Sequence, residues 1–212
     1  MDTLTDRFEV VHALKVKGLA NDAFLSAMTG LSDEQLTAVV AGLAGDGLAV
    51  RRENPRMSGT MLTAAGRAAY DELFAQNALD APTRAAVDEI YSAFLPVNSD
   101  FKRVCASWQL VTDDTPNDHT DAEYDGRVID DLGVIHRRIT DVLAPAGGAS
   151  GGALARLSRY VPRLDAALGR VRGGDNAAFA RPMYDSYHDI WMELHQDLLL
   201  TASREREAAD EA

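Results

Sequence analysis

Hydrophobic residues recur at helical spacing through most of this chain, and the spacing sets out a series of short helices in its first part. The pattern predicts a first helix over 5–16 and a short second helix that begins at Asn21 or Asp22. A third helix begins at Ser32, where Gln35, three residues later, completes a capping-box pattern. The N-terminal region therefore begins as three closely spaced helices.

The helical pattern is then interrupted by a predicted β-hairpin. Residues 48–52 and 60–62 have the composition of two short strands, and the polar segment 53–59 between them has that of a turn. Thr63 is placed to cap a fourth helix that extends to about residue 74. Three helices, a hairpin and a further helix are the order of a winged helix-turn-helix.

Three short motifs carry a resemblance to a known family. They are Leu31-Ser32-x-x-Gln35-Leu36, Leu43-x-x-Asp46-Gly47-Leu48-Ala49 and Leu62-Thr63-x-x-Gly66. In this order they resemble the winged-helix regulators of the MarR-like group, over roughly the first 75 residues. The resemblance implies a DNA-binding fold, although winged helices also serve as protein-interaction modules.

The rest of the chain has no convincing strand and predicts an antiparallel helical bundle. The predicted elements are helices over 83–95 (stopped by Pro96), from Asn98 or Ser99 through Trp108, over 123–143 and over 154–171 (bent at Pro162). Asp175 or Asn176 can cap another start, and Pro182 either opens or bends into a last long helix that extends to about residue 206. An acidic loop is expected over 112–121 and a flexible connector over 144–152. The expected fold class is mainly α, with a winged helix-turn-helix domain at 1–78 and a bundle for dimerisation or ligand sensing at 79–212.

Composition and charge limit the expected cellular location and the ways in which the protein could bind DNA. The chain has no apolar run long enough for a membrane span, and its acidic start is unlike a signal peptide, so we expect a cytoplasmic protein with no membrane partner. Its single cysteine, Cys105, cannot form an internal disulfide and is expected to be a small buried hydrophobe. The formal net charge of -12 repels nucleic acid, so DNA binding needs a local basic patch.

Candidate DNA contacts lie on the third helix and the hairpin. They are Ser32, Gln35, Thr37, Ala38, Arg51, Arg52 and Arg56. Gln35 has the two amide atoms that pair with adenine, and Thr37 or Ala38 could contact a thymine methyl group. No Lys or Arg occurs between Lys17 and Arg51, so phosphate contact falls to the arginines of the hairpin.

Aromatic and histidine side chains in the second half form a candidate ligand pocket. They are Trp108, His136, Tyr160, Tyr187, His188, Trp191 and His195. The alternative is ordinary bundle packing with hydrogen-bonded polar tips. His188 and His195 are two helical turns apart, which is too far for an easy shared metal ion. We predict no metal, no cofactor and no catalytic residue.

A second resemblance involves the helical half. Its motifs are Phe94-Leu95-x-x-Asn98-x-x-Phe101-x-x-x-Cys105-x-x-Trp108-Gln109 and His188-x-x-Trp191-x-Glu193-Leu194-His195-x-Asp197-Leu198-Leu199. They look like the helical region of actinobacterial pyruvate phosphate dikinase-like proteins, which follows a mobile phosphohistidine domain. That mobile domain is not in this sequence, so the resemblance implies an accessory or regulator and not catalysis.

Three functional hypotheses remain open. The first is a transcriptional regulator that binds DNA as a homodimer and uses the bundle to dimerise or to sense a small-molecule effector. The second is a winged-helix module that binds a protein partner and not DNA, or an accessory to a phosphotransfer enzyme. The third is a helical-bundle small-molecule binder or enzyme that uses His188, His195 and His136.

Overall fold

The protein is seen here as a computed structural model that describes residues 3–53 and 58–204. The chain forms two units: unit 1 comprises residues 1–81 and 150–159, and unit 2 comprises residues 82–149 and 160–212. Helices dominate both, which confirms the prediction of a mainly α fold. None of the described helices is long and apolar enough to cross a membrane.

The N-terminal part of unit 1 alternates helices with three short strands. In chain order these are α1 (Thr3–Lys17), β1 (Leu19–Ala20), α2 (Asp22–Thr29), α3 (Asp33–Gly45), β2 (Ala49–Arg52), β3 (Gly59–Leu62) and α4 (Ala64–Gln76). The four helices and the hairpin strands lie within a few residues of their predicted places. Strand β1 was not predicted, because two residues are too few to show an alternating pattern.

Strand β3 is the centre of the sheet in unit 1. It pairs antiparallel with β1, which places Leu19 opposite Met61, and with β2, which places Val50 opposite the same residue. Ala49 and Leu62 face each other across the β2–β3 pair, and both are buried. The sheet therefore turns one face towards the hydrophobic core.

Helix α1 supplies the centre of that core. Val10, Val11 and Leu14 are almost completely buried, and α1 packs against α2, α3 and α4. His12 is also fully buried on α1, and its Nδ1 lies 2.8 Å from the hydroxyl of Tyr70 on α4. Helix α1 therefore sets the position of α3, because it packs against α3 and also against α2 and α4.

The start of α4 passes unusually close to the chain before β2. Thr63 caps α4 by accepting a hydrogen bond from the Gly66 amide, and its hydroxyl donates to the Gly47 carbonyl at 2.7 Å. A Cβ atom at Gly66 would lie only 1.9 Å from the Leu48 carbonyl oxygen. The predicted cap at Thr63 is therefore confirmed, and glycine at position 66 has a steric reason.

A segment from far along the chain completes unit 1. Helix α7 (Gly152–Ser158) belongs to this unit, whereas the sequence division at 78/79 places it in the second domain. Arg156 is buried on α7, with its Nη1 atom 2.7 Å from Oε2 of Glu9 on α1. Local patterning cannot show this assignment, because it depends on contacts between distant segments, such as the 147 positions that separate Glu9 from Arg156.

The single helix predicted over 154–171 is wrong, because the structure contains two helices there. Helix α7 ends at Ser158, and α8 (Tyr160–Arg172) begins after the break at Arg159. Pro162 has no N–H to bond the carbonyl of Ser158, so the helical hydrogen-bond pattern is interrupted before the proline and not at it. Residues 144–146 of the predicted connector form a short 3-10 helix.

Unit 2 opens with a helix that continues through a proline. Helix α5 (Ala81–Gln109) includes Pro96, so the predicted stop at Pro96 and the new cap at Asn98 or Ser99 are wrong. Pro96 and Ser92, whose carbonyl loses its helical partner, both lie on the exposed side of the helix. The buried stripe on the opposite side therefore continues across the proline.

The acidic loop predicted over 112–121 is also partly wrong. Strands β4 (Leu110–Thr112) and β5 (Thr115–Pro116) form a small antiparallel hairpin with Asp113 and Asp114 at its turn. Such short strands leave no alternating signal in a sequence. Helix α6 (Ala122–Leu143) follows, and Asp121 caps it as an acceptor from two backbone amides.

The last described helices pack around α8. They are α9 (Ala177–Ala180) and α10 (Tyr187–Thr201), and α8 contacts α6, α9 and α10. The helix predicted from residue 182 begins five residues later, because Met183 and Asp185 have positive φ angles and Ser186 forms a capping box with Asp189. Residues 205 and 206 of the predicted helix lie outside the described residues.

Candidate nucleic-acid interface

The turn between α2 and α3 is built by three local features. Asn21 caps α2 through a 2.8 Å bond from the Phe24 amide to its side-chain oxygen. Gly30 ends α2 in the left-handed region with φ of 73°, and its amide bonds the Ser26 carbonyl. Ser32 then starts α3. Only two residues separate the C-cap of α2 from the first residue of α3, so the sequence fixes this turn tightly.

The capping box predicted at Ser32 and Gln35 is confirmed. Oγ of Ser32 accepts from the Gln35 amide at 3.3 Å, and Oε1 of Gln35 accepts from the Ser32 amide at 2.9 Å. Pairing with adenine needs both amide atoms of a glutamine side chain. In the observed conformation Oε1 of Gln35 is engaged by its own helix, so its candidate role in reading bases would require this bond to break.

The outward face of α3 is made of small residues. Leu36 and Leu43 point into the core, and the exposed positions between and beyond them are Thr37, Ala38, Ala41, Gly42, Ala44 and Gly45. Thr37 and Ala38 thus keep the exposure that their candidate role requires. A surface with such short side chains allows close approach of another molecule, but α3 itself contributes no cation to it.

The acidic start of α3 remains exposed. Asp33 and Glu34 occupy its first turn, where the helix dipole favours negative charge. Asp33 accepts a hydrogen bond from the Ser26 hydroxyl at 3.4 Å. These carboxylates serve the helix, and they oppose phosphate contact at this end of α3.

Arg51 on β2 is already paired within unit 1. Its Nη1 atom lies 2.8 Å and 3.1 Å from the two carboxylate oxygens of Asp22, and Glu53 also lies within ion-pair distance. The hydrogen bond to Asp22 and its charge raise the pKa of Arg51. A phosphate would have to compete with these carboxylates for Arg51.

Arg52 is the hairpin cation that is best placed for phosphate. Its side chain is exposed at the end of β2, and it makes no ion pair with any described residue. Arg56, the third candidate in the hairpin, lies outside the described residues. Arg67 on α4 donates from Nη1 to the Leu62 carbonyl at 2.9 Å and so supports the hairpin.

Charge is divided unevenly between the two units. Unit 1 has nine Lys and Arg residues against eleven Asp and Glu, a formal net charge of -2, whereas unit 2 has twelve against twenty-two, or -10. The net acidity of the chain therefore belongs mainly to unit 2. Unit 1 repels an anionic polymer far less than the total charge suggests.

Unit 2 packs the aromatic members of the candidate pocket into its interior. The Phe101 ring stacks on Trp191 with centroids 4.2 Å apart and lies 5.7 Å from the Tyr187 ring. Trp191 also donates from Nε1 to Oδ1 of the buried Asn98 at 2.8 Å. Tyr187 and Trp191 have no exposed surface, so in this conformation they form core and not the wall of an open site.

The histidines of the same set lie around this core. His195 is buried with its ring centroid 5.1 Å from that of Phe94, and His188 is stacked 6.1 Å from Phe101. Burial lowers the pKa of His188. Each imidazole thus has an aromatic neighbour, which is how histidines pack at the edge of a hydrophobic core.

His136 links the surface to a buried hydroxyl. Its Nε2 atom lies 2.8 Å from Oδ1 of the exposed Asp165, and its Nδ1 atom lies 3.3 Å from the Tyr187 hydroxyl. Burial is the main cause of the strongly raised pKa of Tyr187, which keeps that hydroxyl protonated. The chain Asp165–His136–Tyr187 fixes the imidazole but ends at a group with no access to solvent.

Tyr160 and Trp108 have partners of their own. The Tyr160 hydroxyl donates to Oδ2 of Asp197 at 3.1 Å and lies 3.4 Å from the Glu193 carbonyl. Trp108 is stacked on Phe179, with centroids 4.2 Å apart and planes 2° from parallel. Trp108 therefore belongs to a different aromatic group from the stack of Phe101 and Trp191.

The structure also forms a histidine–carboxylate pair that the sequence analysis did not predict. His119 has its Nδ1 atom 3.0 Å from Oδ2 of Asp125 and its ring 4.3 Å from that of Trp108. Asn117 donates to Oδ1 of Asp125 at 2.8 Å and accepts from the His119 amide. The Asn-x-His spacing is a local signal for this turn, but the pairing with Asp125 depends on where α6 begins.

The pair fixes one histidine tautomer. In the neutral imidazole of His119, donation from Nδ1 to the carboxylate of Asp125 leaves Nε2 as an acceptor, and the side chain is 29% exposed. Among the described residues, no group of three or more His, Cys, Asp and Glu side chains is arranged to hold a metal ion.

Comparison with known proteins found no matching family model, no similar curated protein and no similar solved structure.

Proposed function

We propose that unit 1 is a winged helix-turn-helix domain that binds duplex DNA, and that the protein is a transcriptional regulator which acts as a homodimer. In this proposal α2 and α3 are the helix-turn-helix, the β2–β3 hairpin is the wing, and unit 2 serves dimerisation or effector binding. The order of elements in unit 1, together with its β1–β3–β2 antiparallel sheet, is the observation that carries the proposal.

The recognition helix would be α3. The second helix of a helix-turn-helix lies in the major groove, with its outer side chains against the base edges. Thr37 and Ala38 are exposed there, and a methyl group on either residue suits contact with thymine. The small side chains of this face favour shape-dependent close approach over hydrogen-bonded reading.

Phosphate contact would come from the wing. Arg52 is exposed and unpaired among the described residues, whereas Arg51 must first leave Asp22. With so few available cations we expect modest affinity and a shallow dependence on salt. A two-fold dimer would double these contacts and present two copies of α3 to half-sites about one DNA turn apart.

The test is selection from sheared genomic DNA of the native host at low salt, followed by titration of the enriched fragment. If Arg52 contacts one phosphate on each copy of a dimer, Arg52→Ala should make the slope of log affinity against log salt shallower by about 1.8. Failure to enrich any fragment at low salt would reject DNA binding.

A protein-interaction module is the second candidate, and particular contacts favour it. Gln35 is engaged in its own capping box, Arg51 is paired with Asp22, and the first turn of α3 is acidic. Such a surface suits a protein partner, for example a phosphotransfer enzyme to which this chain is an accessory. Co-purification of a stoichiometric partner from the native host, together with no DNA enrichment, would favour this candidate.

A further inference from the structure

We propose that residues 152–159, here called the clasp, transmit the state of unit 2 to the turn between α2 and α3. The clasp comprises α7 and Arg159, and it is part of unit 1 although residues 82–149 before it and the chain from residue 160 onward belong to unit 2. This inference rests on the proposed function, since it makes the clasp a regulator of the helix that would read DNA.

Arg159 is the part of the clasp that touches the turn. Its Nη1 atom donates to the carbonyl of Met28 at 2.8 Å. The last carbonyls of a helix lack partners within it, so Arg159 supplies a partner at the end of α2. A Cβ atom on Gly30 would lie 2.4 Å from Nη2 of Arg159, which shows how closely the guanidinium packs on the turn.

Arg156 anchors the clasp to the core of unit 1. Its guanidinium and the carboxylate of Glu9 lie 2.7 Å apart, with side chains 2% and 10% exposed. Leu157 is fully buried beside it in the sequence. A buried ion pair is costly to break because it leaves a charge without its partner. The clasp is therefore an integral part of unit 1 and not a linker segment on its surface.

On its C-terminal side the clasp is joined to unit 2 without any linker residue. Tyr160 follows Arg159 directly, belongs to unit 2 and is fully buried there. Its hydroxyl bonds Asp197 on α10, and Arg163, one turn later, bonds Glu193 at 2.6 Å. Because no residue separates Arg159 from Tyr160, loosening α8 from α10 acts directly on the arginine that holds the turn.

Hydrogen exchange on the full-length protein tests this coupling without DNA. Tyr160→Phe and Arg163→Ala each remove a bond between α8 and α10, and Arg159→Ala releases the turn. We expect either unit 2 variant to speed amide exchange over 26–36 by at least about fivefold, the lower end of ordinary coupling between sites. In the Arg159→Ala background the same variants should change exchange over 26–36 by less than about twofold.

Two controls make the result specific. Arg127→Ala removes an exposed ion pair on α6 and should leave exchange over 26–36 unchanged. Amides of Val10 and Val11 in α1 report any general loosening of unit 1 and should keep their rates. The proposal is overturned if both unit 2 variants leave 26–36 unchanged, if α1 accelerates equally, or if the effect persists without Arg159.

The two proposals fail separately. Exchange is measured on the free protein, so absence of DNA binding leaves the clasp standing. If the coupling is absent while a DNA fragment is still enriched, the clasp is rejected and the proposed function is retained.

Discussion

Arg156 and Glu9 form a buried ion pair between α7 and α1, with a 2.7 Å separation between Nη1 and Oε2. Both side chains are almost completely removed from solvent, and the pair joins positions 147 residues apart. It makes the stability of unit 1 depend on a segment that the sequence places in the second half of the chain.

Removing one partner of this pair should destabilise the protein strongly. We expect Arg156→Ala to lower the free energy of unfolding by about 3–5 kcal/mol, because it leaves the Glu9 carboxylate buried without its cation. Urea unfolding followed by circular dichroism measures the change. Arg127→Ala, which breaks the exposed pair with Glu123, is the matched control and should cost less than about 0.5 kcal/mol.

A double replacement separates charge from packing. Glu9→Leu combined with Arg156→Met removes both charges and keeps apolar volume, so it should recover most of the stability lost in Arg156→Ala. Equal losses in the single and double variants would mean that the ion pair is not the source of the effect.

Gly66 should not tolerate even one added methyl group. Its Cβ would meet the Leu48 carbonyl oxygen at 1.9 Å, so Gly66→Ala must push α4 away from the chain before β2. We expect a loss of about 1–3 kcal/mol, the usual range for overpacking. Thermal unfolding of the variant provides the measurement.

Gly45→Ala in α3 is the control that measures the effect of replacing a helical glycine by alanine where there is room for the methyl group. Nothing lies within 4 Å of a Cβ at Gly45, and alanine is the better helix former by roughly 1 kcal/mol. This variant should be neutral or slightly stabilised. A Gly66→Ala protein as stable as the Gly45→Ala protein would show that the close approach is not present in solution.

Cys105 should resist thiol reagents in the native protein. Burial raises the pKa of its thiol to about 12. At pH 8 the thiolate, which is the reactive form, is then about one part in 10⁴. Labelling with Ellman's reagent should be at least about a hundredfold slower than in urea, where the same thiol has an ordinary pKa.

The pH dependence of labelling gives a second check with a definite sign. Between pH 8 and 9.5 the native rate should keep rising about tenfold for each pH unit, because the thiol is still below its raised pKa. In urea the rate should level off over the same interval. The Cys105 side chain is half-buried and not fully buried as the sequence predicted, and fast native labelling that levels off near pH 8.5 would contradict the raised pKa of its thiol.

Local signals in the sequence identified most of unit 1. The caps at Asn21, Ser32 and Thr63 lie where the polar residue precedes an apolar periodic segment, and each is a contact within a few residues. Both partners of such a contact lie in the same short stretch of sequence, so the local sequence is enough to predict it. The helices and the hairpin of unit 1 could therefore be predicted without knowledge of the rest of the chain.

Two errors in unit 2 arose from reading one residue without its surroundings. Pro96 suggested a helix end, but it lies on the exposed side of α5, where losing one backbone bond does not interrupt the buried stripe. Pro182 suggested a helix start, but the capping box of Ser186 and Asp189 sets the beginning of α10. For Pro96 the deciding factor was which side of the helix faces the core, and for Pro182 it was the cap that starts the helix.

The candidate sites show the same limit. The sequence could place Arg51 on the hairpin, but not show that Asp22, 29 positions away, already neutralises it. It could note His119 in an acidic segment, but not its pairing with Asp125. Contacts across the fold depend on three-dimensional packing, so a residue type predicts what a side chain could do and not whether it is available.

The most direct test of the proposed function is a comparison of two added charges on unit 1. Fluorescence anisotropy would measure binding of a labelled, enriched DNA fragment to the wild type, to Ala38→Glu on the outer face of α3, and to Ala68→Glu on the exposed side of α4. If α3 enters the groove, Ala38→Glu should weaken binding by at least about tenfold, and Ala68→Glu by less than about threefold. Equal weakening by both substitutions, or none by Ala38→Glu, would contradict α3 as the DNA-reading helix.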